Sequence, residues 1–448
     1  MIIAKCLFYE ITCFIGIQMT ELKRHMGLFQ LTMYGVGLTF GAGIYVLIGE
    51  ATGLAGNIVW LSFVLSAIVA VFSGLSYAEL GSMFPKAAAE YVFVKSAFRN
   101  NFIAFLVGWL SAITSIITAA TVALGFGGYL GQFIDIPITL AAILLVIGLS
   151  IVNFIGIRES AWTNTIFTII EASGLALIIF IGFTFVEAKP VDYLDAPFGF
   201  SGVILAFVLI FFAFIGFEDM ANVAEEVKNP KKTLPRAIML AIAITCTMYV
   251  LVSFAALRLL DWQELGGSGA PLAAMANKAL GPGGQVMLSS IALFATANTV
   301  LITLIAGARI LFGLSTHKSL PMFLSLVHSK TKTPWIAVVG IMCAAIGFAF
   351  IGDIVLVANI VVFAVVITFA MVNLSVIVLR YVEPDMERPF RAPLNIGRFP
   401  VLALFGLISS IYMGLQFEIP VVGVGVGIIA AGALFYFVYN KHIKKLQI

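Results

Sequence analysis

The chain has 448 residues, 61% of them hydrophobic and 10% charged, with a formal net charge of +3. Soluble domains carry about 25% charged residues, so this composition excludes a water-soluble globular protein and makes lipid the solvent for most of the chain. Four cysteines (Cys6, Cys13, Cys246, Cys343) and four histidines (His25, His317, His328, His442) show no metal or disulfide spacing, and no metal site is expected.

Residues 1–18 are apolar but interrupted by Lys5 and Glu10, short for a span, and lack a small-residue cleavage site. Met19 then opens the polar segment Thr20 to His25. The preferred reading is an over-called start; its rival is a short interfacial helix. A span needs about 20 mostly apolar residues. On that measure the charge clusters and Gly/Pro punctuation delimit twelve: 28–50, 57–83, 101–131, 138–156, 161–186, 201–226, 235–258, 284–315, 334–351, 354–380, 399–417 and 419–440. Only Gly352-Asp353 separates the ninth from the tenth.

With a cytoplasmic N-terminus, twenty of the 25 Lys and Arg residues fall on inside segments, and only Lys189, Arg258 and Lys278 fall outside. That is the asymmetry the positive-inside rule requires, so both termini are expected in the cytoplasm of a cell-membrane protein. Lys5 and Arg309 stay unassigned. Five spans followed by five more force the second copy to lie inverted, which makes spans one and six correspond. The expected organisation is an N-terminal segment 1–26, a first repeat 27–187, a second repeat 200–381, two further helices within 399–440 and a tail 441–448. Gly423, Gly425 and Gly427 in the last span suit packing against lipid or a second copy of the chain, a candidate homo-oligomer.

The first span contains Gly41-Ala42-Gly43, the sixth Ile215-Gly216-Phe217-Glu218. Bilayer depth punishes unpaired backbone, so breaks there survive only beside a cavity or inside protein, and paired breaks in two halves point to a transporter's binding site. A half-helix starting near Ile44 offers free N–H groups and a positive dipole end to an anionic group. Ordinary packing of small residues is the competing account of the first break. Glu218 and Asp219 lie deep in an apolar span, where acids face cavities or cap an unwound turn. Phe212, Phe214 and Phe217 wall the cavity, act as a thin gate, or simply pack.

Glu171, in the middle of span five, is a third buried acid, suited to carry a proton as its access to water changes; a neutral, hydrogen-bonded role is the alternative. In span eight, Thr296, Asn298, Thr299 and Thr303 are candidate oxygen ligands for a cation, although membrane hydroxyls more often bond their own backbone. The stretches 84–100 and 317–333 occupy corresponding places in the two repeats and read as gate elements or solvated charge.

Residues 41–50 (GAGIYVLIGE), the FFAFIGFE run at 211–218 and the segment AEEVKNPKKTLPRAI at 224–238 resemble the amino acid–polyamine–organocation superfamily, most of all its cationic amino acid transporter branch. Gly307-Ala308-Arg309 and the segment from Pro384 to Pro393 add to the likeness. The resemblance implies an all-α integral membrane protein of LeuT type: twelve helices, a 5+5 inverted repeat with discontinuous helices 1 and 6, and two extra C-terminal helices. It also implies that the backbone of Gly41, Ala42 and Gly43 holds a substrate carboxylate and that carbonyls of Phe212, Ala213 and Ile215 receive the α-ammonium. Several relatives place a lysine in span five where this chain has Glu171, so a carboxylate would carry the proton or help bind Na⁺ instead.

The expected function is secondary active transport of amino acids by alternating access, through proton symport or exchange. An amine or polyamine carrier and an amino acid-sensing receptor are the alternatives. No enzyme is expected, because no nucleophile motif, nucleotide loop or acid/base cluster is visible. No cofactor beyond H⁺ or Na⁺ is expected, and the partners are an amino acid and membrane lipid, with no nucleic acid.

Overall fold

The computed structural model describes residues 22–131, 133–184, 191–350 and 354–443. The readings of residues 1–18, of the Gly352-Asp353 turn and of the last five residues lie outside them. The architecture is helical, apart from one short hairpin that pairs β1 (Asn395–Ile396) with β2 (Phe399–Pro400). Among the described residues, nine helical stretches are long and apolar enough to cross a membrane, and two shorter apolar helices accompany them. The first expected span is split into α1 (Leu28–Phe40) and α2 (Ala42–Ala55), of 13 and 14 residues.

From there the helices run α3 (Val59–Met83), α4 (Ala89–Phe98), α5 (Asn101–Leu130), α6 (Ile138–Ile155), α7 (Ile157–Thr184) and α8 (Gly199–Ile210). A 3-10 turn (Phe211–Phe214), α9 (Asp219–Asn222) and a second 3-10 turn (Ala224–Glu226) follow. Next come α10 (Pro230–Leu259), α11 (Trp262–Gly266), α12 (Pro271–Leu280), α13 (Pro282–Thr316), α14 (Trp335–Phe348), α15 (Ile354–Val382), α16 (Val401–Gly414) and α17 (Ile419–Val438).

Several of these starts are written into the sequence. Asn100 accepts hydrogen bonds from the amides of Phe102 and Ile103, which satisfies two of the free donors at the head of α5. Pro230 and Pro282 open α10 and α13, where a missing N–H costs nothing. Residues 84–100 contain the helix α4, whereas 317–333 hold only a 3-10 turn at Met322–Ser325, so the two stretches are not built alike.

The core centres on α13. In its most apolar stretch 83% of residues are buried, against 17% for α17, whose Val424, Val426, Leu434 and Phe437 stay exposed. Around α13 pack α1, α5, α6, α7 and α14. Two buried ion pairs lock the connecting segments. Glu79 on α3 takes both arms of Arg380 at 2.7 and 2.6 Å and the amide of Ala392 at 2.8 Å, which fixes the Pro-rich turn after α15. Arg309 on α13 grips Glu226 at 3.0 and 3.1 Å and reaches Asn153 of α6 at 2.6 Å. The backbone beside that pair is also joined: Met26 and Val227 form a parallel bridge, with the amides of His25 and Met26 on the Glu226 carbonyl and the Lys228 amide on that of Met26.

Candidate functional site

The break in the first span is narrower than the glycine pattern suggests. Only Gly41 leaves helical geometry, with ψ at −144°, and α2 resumes at Ala42 rather than near Ile44. The reason is close approach to other helices. A Cβ on Gly41 would fall on the Thr299 hydroxyl of α13, and one on Gly43 would stand 2.6 Å from the Ala213 Cα. Glycine at 43 therefore serves contact rather than unwinding. No side chain caps α2, so the amides of Ala42, Gly43 and Ile44 begin a helix without a side-chain acceptor.

The second break is longer than expected. α8 ends at Ile210, tightens into the 3-10 turn, becomes extended at Ile215 and turns at Gly216, whose φ of +136° suits glycine alone. The chain then recovers only the four-residue α9. Glu218 folds back so that its Oε2 accepts the Gly216 amide at 2.8 Å, the capping role considered for it. Of the three carbonyls assigned to a substrate ammonium, that of Ala213 already accepts the Tyr249 hydroxyl at 3.1 Å, and that of Phe212 accepts the Ile215 amide at 3.2 Å. The Thr39 carbonyl at the end of α1 lies against the same Tyr249 hydroxyl, so the two carbonyls share its one proton and a side chain of α10 bridges the two interrupted spans.

Between the breaks lies a cavity of about 50 Å³, enough for a few water molecules. Its walls are Leu38, Thr39 and Gly43 from the first span, and Phe212, Ala213, Ile215, Glu218 and Asp219 from the sixth. Ser111, Thr114, Ser115 and Thr118 of α5, Thr299 and Thr303 of α13, and Val365, Thr368 and Phe369 of α15 complete them, with Glu90 of α4. Of the three aromatics in question only Phe212 faces this space. Phe214 packs on Tyr249 at 5.1 Å, and Phe217 lies on Phe369 and Tyr77 at 5.4 and 5.9 Å.

Glu171 is not part of that cavity. Fully buried on α7, it lies beside Asn298, and neither carboxyl oxygen makes a hydrogen bond. Its backbone carbonyl takes the Tyr45 hydroxyl at 2.9 Å, tying it to α2 just past the first break. One turn away, Asn164, Thr168 and Asn298 crowd against Gly37, where a Cβ would fall 2.1 Å from the Thr168 hydroxyl. The hydroxyls of Thr296, Thr299 and Thr303 all bond carbonyls of their own helix. Thr296 stays outside the cavity wall, whereas Thr299 and Thr303 belong to it.

A helical membrane protein with two interrupted spans meeting at a cavity lined by three carboxyl residues and several hydroxyls has the build of a transporter, and comparison with known proteins agrees. The family model described as amino acid permease matches residues 26–439. The chain belongs to that family.

Branched-chain amino acid permease BcaP of Bacillus subtilis (strain 168) is 31% identical to it over 95% of each chain. The methylthioribose transporter of the same bacterium is 30% identical over 94% of each. A vacuolar cationic amino acid transporter 4 of Arabidopsis thaliana is 30% identical, over 82% of this chain and 64% of the plant protein. The superfamily resemblance read from residues 41–50, 211–218 and 224–238 is therefore correct, the chain is a multi-pass membrane protein of a transporter family, and it is not an enzyme.

Three residues of this region escaped the sequence reading. Tyr249 was one apolar residue among many in its span, and no periodic signal marks a hydroxyl that reaches two backbone carbonyls. Arg309 has no partner visible in the sequence; a lone arginine inside an apolar span signals a buried acid elsewhere, and Glu226 answers it. Glu90 lies among the charges of 84–100, yet it is 1% exposed.

Proposed function

We propose that the chain is a secondary active transporter that moves an amino acid across the cytoplasmic membrane by alternating access. The observation that carries this is the meeting of the two interrupted spans at one cavity, where Gly43 near the head of α2 faces Phe212, Ala213 and Ile215 of the turn. The amides of Ala42, Gly43 and Ile44, with the positive end of α2, take the substrate carboxylate. The carbonyls of Ile215 and Phe212 take the α-ammonium, with Ala213 sharing its second lone pair, and Glu218 holds the turn. Twelve crossings, a 5+5 inverted repeat and cytoplasmic termini complete the reading, which the Lys/Arg asymmetry supports.

Glu171 is the coupling group in this reading, and Thr299 is the hydroxyl nearest the break for a passing cation. An ionised Glu171 without a hydrogen bond or counter-charge is costly, so a proton or Na⁺ accompanies it. Counterflow into vesicles of the purified protein, loaded in turn with each of the twenty amino acids and with methylthioribose, tests the transport reading. Substrate-dependent accumulation of at least one amino acid is expected, and an empty panel overturns it. For Glu171→Gln, uptake driven by a pH gradient is lost while exchange persists. Unchanged pH-driven uptake removes Glu171 from coupling.

A further inference from the structure

The chain between α15 and α16 lies higher against the helices than a loop in water would. Phe390 donates its amide to the Ser82 hydroxyl at 3.2 Å, and Ala392 gives its own to Glu79 at 2.8 Å. The buried side chains of Ala392 and Leu402 cluster with Leu75. Those three partners climb α3 from its end: Leu75 stands eight residues before Met83, about 12 Å along the axis. α16, which starts at Val401, therefore begins inside the apolar layer. Its length agrees, because 14 residues span only about 21 Å of a hydrocarbon core about 30 Å thick.

The hairpin of β1 and β2 leads into α16 at that depth. Leu394 and Ile396 are 67% and 75% exposed. Arg391 and Arg398 are exposed beside them and form no ion pair among the described residues. Arg391 reaches only the Gly397 carbonyl, at 3.2 Å, and Arg398 makes no hydrogen bond to protein. The glutamates of this corner are already taken: Glu79 by Arg380, Glu383 by Arg99 and Glu387 by Lys231. Asp385, exposed in the same turn, pairs with neither arginine. We propose that residues 391–398 form a docking site for an anionic phospholipid, with Leu394 and Ile396 among its acyl chains and the Arg391 and Arg398 guanidiniums on its phosphate. Apolar anchors edged by unpaired guanidiniums match the two halves of a lipid, and a guanidinium fork suits phosphate. A soluble anion would answer the charges and leave both anchors bare. The site is fastened to α3 and α15 through Glu79, so an occupied site stabilises the whole fold.

The test titrates purified protein in a neutral detergent with phosphatidylglycerol, phosphatidylcholine or inorganic phosphate while thermal unfolding is followed. Phosphatidylglycerol should raise the midpoint, and the other two should not. In Arg391→Gln/Arg398→Gln the apparent affinity for phosphatidylglycerol should fall about tenfold or more. Arg398→Gln alone, which breaks no bond within the protein, should give part of that fall. Arg99→Gln, at an exposed arginine already paired with Glu383, should change the affinity less than about twofold. Equal stabilisation by phosphatidylcholine or by inorganic phosphate overturns the lipid assignment, as does an unchanged affinity in the double variant. A nitroxide attached at Ile396→Cys, in a chain whose four cysteines are replaced by alanine, reads the depth directly. In vesicles it should collide more often with dissolved oxygen than with a water-soluble nickel chelate. The reverse order puts the hairpin in water and overturns the proposal.

Discussion

Arg309→Met is expected to destabilise the protein by about 3–5 kcal/mol, because it leaves the Glu226 carboxylate buried without its partner. The guanidinium makes two bonds to Glu226 and one to Asn153, all inside a wholly buried pair. Removing it strands acceptors on two other segments at once. The double variant Arg309→Met/Glu226→Gln removes the uncompensated charge and should recover much of the loss, since replacing a buried pair by neutral groups is often close to neutral. Unfolding of the purified protein in detergent measures both. A single variant as stable as wild type, or a double variant less stable than the single, would contradict this account.

Gly43→Ala is expected to lower substrate affinity about tenfold or more and to destabilise by about 1–3 kcal/mol, the usual range for overpacking. The added methyl meets backbone, 2.6 Å from the Ala213 Cα and 3.3 Å from its nitrogen, so no side chain can rotate out of the way. Relief requires the 3-10 turn to retreat from α2, which separates the amides from the carbonyls that share a substrate. Gly423→Ala and Gly427→Ala on α17 are the controls. Nothing lies within 4 Å of a Cβ at either position, and effects within about 0.5 kcal/mol are expected. Counterflow affinity and detergent stability, measured on all three, separate a site effect from a general intolerance of larger residues.

What the sequence made legible follows from which physical signals are local. Apolar length gives the spans, and glycine beside a deep acid marks the sixth-span break, because both reflect the cost of burying backbone and charge in lipid. How far a break extends is set by neighbours. Gly41 alone unwinds because α13 comes within touching distance there, while the sixth span loses its helix from Phe211 onward as the turn at Gly216 brings Leu38 against it. No window of sequence holds that information. Likewise the charges of 84–100 divide by tertiary contact: Arg99, just past the end of α4, is exposed and pairs with Glu383, yet Glu90 in the first turn of that helix is buried against α3 and α9.

The parallel bridge between Met26 and Val227 yokes the start of one interrupted span to the exit of the other. Two strands of backbone so joined cannot swing apart one at a time, and Arg309 holds the same junction from behind. Any route from the cavity past this end of the molecule must either carry both segments together as one rigid flap or first sever three main-chain hydrogen bonds. A short clip of peptide thus makes the two interrupted segments one mechanical unit at this end of the molecule.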